Sequence, residues 1–307
     1  MNYKKRAALL IIIIASLCSL AVWGVARFRY YSLRTTADWL QRLPTQDSMV
    51  FYVDFDALRK GGLLQMLAGS KVVEEPEYKV FVMKTGFDYS RDLDAVLACF
   101  TPRAKYMVLQ GRFDWDSLQS YARDQGGTCR DALCRMSGST PDRKISFFPM
   151  RPDLMGLAVS PDDLAAINLQ TNAARRRSLE MPDAPVWLSL PPALLKTGAD
   201  LPPGTRMFAH TLEDTEDVNI AMAPSGNRFE ARLNVQCRSE SQAAALATQL
   251  AGITAMLREM IAREHATPNS RDLSGVLTSG TFNRLGTRVL GSWPLEKGFV
   301  EGLLGGS

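Results

Sequence analysis

Histidine is nearly missing from this chain. Only His210 and His265 occur in 307 residues, far apart, which excludes a histidine-rich metal centre. Signatures of common catalytic machinery are missing too. There is no Ser-x-x-Lys, no Gly-x-Ser-x-Gly elbow, no phosphate-binding glycine loop, no dinucleotide glycine motif and no His-Glu-x-x-His. Cysteine is sparse, with five residues. The sequence names no catalytic residue, no metal ligand and no cofactor site.

A basic surface is also lacking, despite a formal net charge of +4. Residues 1–42 hold seven Lys/Arg and one acid, which leaves 29 bases against 31 acids in residues 43–307. A nucleic-acid module carries a basic excess, so no nucleic-acid partner is expected. The remaining 265 residues have ordinary hydrophobic and charged fractions and are long enough to bury a sizeable core.

What is present begins with Ala7 to Ala26, AALLIIIIASLCSLAVWGVA, an uncharged run of 20 residues between Lys4-Lys5-Arg6 and Arg27/Arg29. As a helix it spans roughly 30 Å, the hydrocarbon thickness of a bilayer. Ser19-Leu20-Ala21 and Gly24-Val25-Ala26 offer small residues to a signal peptidase, which would give a secreted, soluble protein. The apolar core is longer than a signal peptide's, so retention as a single-pass anchor is expected. Basic residues flank both ends. The short basic tail favours a cytoplasmic amino terminus and an extracytoplasmic body at a bacterial inner membrane.

The body alternates strand and helix signals. Met49–Phe55 reads as a strand, and Leu93–Phe100 and Lys105–Phe113 as two more around Thr101-Pro102. Asp114 caps a helix with Trp115, Leu118, Tyr121 and Ala122 on one face. Strands follow near Thr128–Ser137, Lys144–Phe148 and Leu154–Val159, then a helix start at Ser160-Pro161-Asp162-Asp163. TNAARRRSLEMPDAP, from Thr171, reads as an exposed linker whose Arg175-Arg176-Arg177 either stays solvated or meets anionic headgroups. Val186–Leu190 is a strand. Phe229, Ala231, Leu233, Val235 and Cys237 alternate with polar neighbours, the mark of a sheet with one face in water. Ser239-x-x-Gln242 opens a long helix lined by Leu246, Leu250, Ile253, Leu257 and Ile261. Strands near Val276–Phe282 and Arg288–Ser292 and a helix after Pro294 close the chain.

Val50-Phe51 through Gly62 pairs without gaps with Val186-Trp187 through Gly198, which suggests an internal duplication. The expected fold class is α+β: an N-terminal transmembrane helix, then two duplicated ferredoxin-like lobes with antiparallel sheets. The expected divisions are 1–30 (cytoplasmic tail and anchor), 31–46 (juxtamembrane linker), 47–170 (first lobe), 171–184 (linker) and 185–307 (second lobe). Leu43-Pro44-x-x-Asp47-x-x-Val50-Phe51-Tyr52-Val53-Asp54-x-Asp56-Ala57-Leu58 resembles the start of exported, membrane-anchored bacterial domains with no assigned activity. The resemblance implies an extracytoplasmic setting and carries over no functional residue.

Lys84-Thr85-Gly86 and Lys196-Thr197-Gly198 match the KTG triplet of penicillin-recognising serine enzymes, and Ser225-Gly226-Asn227 mimics their S-x-N, but the nucleophile motif is absent. Asp88, Ser90, Asp92 and Asp94 have the alternating spacing of a calcium loop, without its glycine and terminal glutamate. Glu213-Asp214-Thr215-Glu216-Asp217 is expected to crown a wet turn. Cys129 and Cys134 flank four residues and are expected to form a structural disulfide across a hairpin, which fits an oxidising compartment. Cys99 and Cys237 read as buried thiols.

The resulting expectation is an anchored, extracytoplasmic binding or scaffold protein whose partners are the membrane and a protein or envelope polymer. The rival is an envelope enzyme whose acids, such as Asp54, Asp56 or the Asp88–Asp94 group, converge only in three dimensions.

Overall fold

A computed structural model describes residues 33–62, 64, 76–138, 140, 142–173, 175–200, 203–225, 228–264, 267–296 and 298–299. The anchor segment Ala7–Ala26 and Cys18 lie outside the described residues. Among those described, no helix is long and apolar enough to cross a membrane.

Thr35 opens α1 (Thr36–Leu40) with a capping box: Asp38 N–H donates to Thr35 Oγ1 and the Asp38 carboxylate receives Thr35 N–H. Then follow β1 (Met49–Asp54), α2 (Phe55–Lys60), α3 (Pro76–Thr85) and α4 (Tyr89–Asp92). Next come β2 (Leu93–Phe100), β3 (Lys105–Gly111), α5 (Trp115–Asp124), β4 (Thr128–Arg130), β5 (Leu133–Ser137), β6 (Lys144–Arg151) and β7 (Leu154–Ser160). A 3₁₀ turn at Ala165–Gln170 leads to the linker. The second half runs β8 (Val186–Leu190), a 3₁₀ segment at Pro192–Asp200, α6 (Pro203–Thr211), β9 (Asp217–Ser225) and β10 (Arg228–Gln236). It continues with α7 (Glu240–Arg263), α8 (Leu273–Ser279), β11 (Thr281–Leu285) and β12 (Arg288–Leu295).

The twelve strands among the described residues form one antiparallel sheet in the order β11-β12-β10-β9-β8-β1-β2-β3-β7-β6-β5-β4. Two separate ferredoxin-like sheets were expected, and the structure corrects this. The strands expected to begin each lobe, β1 and β8, pair with each other from Val50↔Ser189 to Val53↔Val186. One ladder therefore runs through both halves. A ferredoxin-like lobe is built on split βαβ units, whereas β1 here sits directly beside β2, and every pairing is antiparallel.

The register fixes which side chains share a face. Phe51, Val53 and Val186 lie on the face covered by α2, where Leu58 is buried. Leu118 and Ala122 of α5 pack with Phe147 and Met155 on the same side. So do Leu246 and Leu250 of α7, which meet Val218, Leu233, Val235 and Val289. The alternation along β10 is therefore realised, with Phe229, Leu233 and Val235 buried. Among the described residues, the opposite face is covered over the first half and its junction with β8 and β9. There Trp39 of α1, Leu43 and the 3₁₀ residues Ala165, Ala166 and Leu169 pack on Val50, Leu97, Val108, Leu154 and Trp187.

Three local expectations fail for physical reasons. Residues 276–279 read as strand but close α8, because Asp272 caps a helix by accepting Ser274 N–H at 2.8 Å. Ser160-Pro161-Asp162-Asp163 starts no α-helix. Ser160 Oγ and the Asp162 carboxylate bind the N–H groups two residues on, making successive turns that feed the 3₁₀ segment. Residues 171–184 are not a free linker: Ala173 N–H donates to Gln41 O, Arg177 N–H to Thr45 Oγ1, and the Arg177 side chain is half-buried.

Candidate functional site

The opposite face of β9, β10, β12 and β11 carries the polar half of the strand alternation. Pairings Asn219↔Asn234, Asn234↔Leu290 and Asn283↔Leu290 place three amides and one leucine in a single row across the four strands. The linker segment 180–184 borders this face and encloses a groove of about 560 Å³, whose lining includes Met181, Pro182 and Asp183. Apart from Asp183, the charges are internally matched. Arg288 pairs with Glu180 at 2.7 Å, and Arg232 Nε donates to Glu230 at 2.6 Å. Ser292 Oγ donates to the other Glu230 oxygen at 2.5 Å, and the hydroxyl, then Arg232, hold this carboxyl below its usual range.

The groove's inner end is fixed by Asp217. Arg177 Nη1 pairs with Asp217 Oδ1, and Arg177 Nη2 donates to Ser189 Oγ at 3.0 Å. Burial lowers the Arg177 pKa against the opposing pull of Asp217. Asn219 Nδ2 donates to Asp217 Oδ2 at 2.8 Å, which fixes the amide orientation because a carboxylate only accepts. Asn219 Oδ1 is left buried with no donor. Asn234 and Asn283 make no side-chain hydrogen bond among the described residues. The acidic run at Glu213–Asp217 is thus wet only in part, since Thr215 is buried and Asp217 turns inward to Arg177. Arg175 and Arg176 are exposed.

Several acids of the rival reading do meet. Asp54, Asp56 and Asp94 line a second depression, of about 510 Å³, with Arg34, Tyr52 and Gln110. Their oxygens are engaged structurally. Asp54 caps α2 by accepting Ala57 N–H at 2.7 Å. Asp56 pairs with Lys60 at 2.6 Å and Arg59 at 3.3 Å, and Arg59 also reaches Asp94 at 3.6 Å. Burial, then Asp54, raises the Tyr52 pKa. The calcium-like spacing resolves into separate roles. Asp88 caps α4 at Ser90 N–H, while buried Asp92 accepts from Arg91 at 2.8 Å and Arg112 at 3.0 Å. The Arg91 hydrogen bond leads in lowering the Asp92 pKa to about 2. Among the described residues no group of three or more His, Cys, Asp or Glu could hold a metal ion.

The enzyme-like triplets are structural. Lys84 pairs with Asp124 at 2.9 Å, buried Thr85 donates to Phe81 O, and Gly86, at φ +69°, follows the end of α3. Lys196-Thr197-Gly198 lies in the 3₁₀ segment Pro192–Asp200, and Ser225 ends β9 with Gly226 and Asn227 outside the described residues.

Cys129 and Cys134 are cross-strand partners joined by a disulfide, with Cα atoms 4.0 Å apart. Cys99 and Cys237 are buried free thiols, and burial pushes Cys99 up to about 11. The amide row had no local sequence signal. Its members lie on three strands, and only Asn234 stood in a recognised alternation.

No protein-family model matches the chain, and no curated protein matches it in sequence. Among the solved structures that share its fold are two of TP0453. Crystal form III aligns with TM-score 0.52 and 11% identity over 87% of this chain and 98% of that one. Crystal form IV gives 0.50 and 12% over 87% and 96%. At such identity the likeness is one of fold alone.

Proposed function

We propose that the chain is a membrane-anchored, extracytoplasmic binding or scaffold protein of the bacterial envelope that holds its partner on the open face of β9, β10, β12 and β11. Residues 1–30 supply the cytoplasmic tail and anchor, 31–46 the juxtamembrane connection, and 47–170 and 185–307 two halves joined by 171–184. The halves descend from one duplicated unit. Their strand orders, β1-β2-β3-β7-β6 and β8-β9-β10-β12-β11, correspond element for element, with β4–β5 as an addition to the first.

The observation that carries the functional reading is the open polar groove. It is a concave feature of a sheet face that no helix among the described residues covers, while the acids of the enzyme reading are held by caps, a lysine and arginines. The Cys129–Cys134 bridge favours an oxidising compartment.

Photo-crosslinking in the native cell tests it. A photoreactive residue at Asn283 should give one defined adduct, while the same residue at exposed Met83, on α3, should not. Equal adducts from both positions, or none from Asn283, would refute the assignment of the partner to this face.

A further inference from the structure

We infer that the groove binds an uncharged, hydroxyl-rich chain, a glycan strand laid across β9, β10, β12 and β11. This rests on the reading of the open face as the binding surface and specifies its ligand. Charge argues first. Arg232, the only cation lining the groove among the described residues, is neutralised by Glu230, and Glu180 by Arg288. Asp183 remains exposed at the rim with no ion-pair partner among the described residues and disfavours anionic ligands. A lone exposed carboxylate gives little attraction to a cation.

Hydrogen-bonding chemistry argues second. Neighbouring strands lie roughly 4.8 Å apart, so the Asn219 and Asn234 amides are about 5 Å apart and Asn283 about 10 Å further along the row. An amide donates and accepts, as a sugar hydroxyl does. Asn234 and Asn283 have both capacities free. Asn219 is only 6% exposed, and its Oδ1 is an acceptor held in place by Asp217 with no donor. A buried acceptor without a partner is costly, and a hydroxyl at the inner wall supplies one. Leu290, between the amides, and Met181 and Pro182 opposite give apolar surface for the C–H faces of sugar rings. An extended peptide would instead seek the free backbone groups of a sheet edge, at β11 or β4.

The test is a titration of the full chain, in a sugar-free detergent, with chitohexaose, cellohexaose and maltohexaose, read by amide chemical shifts, with hexaglycine as the peptide control. At least one oligosaccharide should perturb the resonances of the amide row, with an affinity that added salt barely changes. N234A and N283A should each weaken it about tenfold, the effect of one lost hydrogen bond. Both side chains are free of internal hydrogen bonds, so circular dichroism of the variants should match wild type. The inference is overturned if no oligosaccharide perturbs the row, if binding survives both substitutions, or if hexaglycine occupies the groove instead. A negative titration alongside a crosslink from Asn283 would remove the glycan and leave the binding face standing.

Discussion

Tyr52 and Trp187 stack across the β1–β8 pairing, with ring centroids 5.5 Å apart, where the two halves of the chain become one sheet. Trp187 is 2% exposed and shares a cluster with Val50, Leu97 and Ala221, residues from both halves. Trp187→Ala should cost about 3 to 5 kcal/mol. Because one ladder crosses the junction, urea unfolding followed by probes in each half should remain a single transition. Two separated transitions in the wild-type protein would contradict a shared core.

Arg177 and Asp217 set the position of the strap that borders the groove. Their side chains are 17% and 19% exposed, so removing one leaves a charge in a poorly solvated place. Arg177→Ala should cost about 3 kcal/mol, and adding Asp217→Asn to it should cost much less than the two separate losses together. A double-mutant cycle in thermal unfolding measures this coupling.

Asp92 gives a pH signature. Its folded pKa of about 2 lies below the ordinary 3.8. The carboxylate therefore stabilises the fold fully above about pH 5, and this contribution fades as pH falls toward 2. It amounts to about 1 to 2 kcal/mol. Asp92→Asn should be destabilised near neutral pH by that amount and lose the same amount less between pH 5 and 2. Arg91 and Arg112 are largely exposed, so leaving them without Asp92 adds little.

The Cys129–Cys134 hairpin turns through Asp131 and Ala132 at φ 51° and 66°. A left-handed alanine is costly, so Ala132→Gly should raise stability by about 1 kcal/mol. Alkylation should label Cys129 and Cys134 only after reduction, and Cys99 and Cys237 only after unfolding. Reduction alone should cost about 2 kcal/mol, since the closed loop is short.

Much of the fold was legible because its signals are local. The alternation from Phe229 to Cys237 placed β10, Ser239 and Asp114 announced their helices, and the spacing of Cys129 and Cys134 announced the hairpin. The joining of the halves was not legible, because pairing of β1 with β8 is a contact between edges distant in sequence. Matching Val50 with Val186 pointed to related units but not to their hydrogen-bonding to each other. The linker misled for the same reason. Arg177 sits in an arginine run that looks solvated, and only the fold delivers Asp217 to it. The groove was hidden because Asn219, Asn234 and Asn283 become neighbours through strand register alone.

The most direct test of an exported protein with an occupied open face uses two introduced-cysteine probes, Met83→Cys and Asn283→Cys, each read against the unsubstituted chain, and a membrane-impermeant maleimide. Purified protein should label at both positions. In native cells with a permeabilised outer layer but an intact inner membrane, Met83→Cys should label fully and Asn283→Cys should be protected. Failure to label Met83→Cys in cells would place the body on the cytoplasmic side, and equal labelling of Asn283→Cys in cells and in purified protein would show that nothing occupies the face.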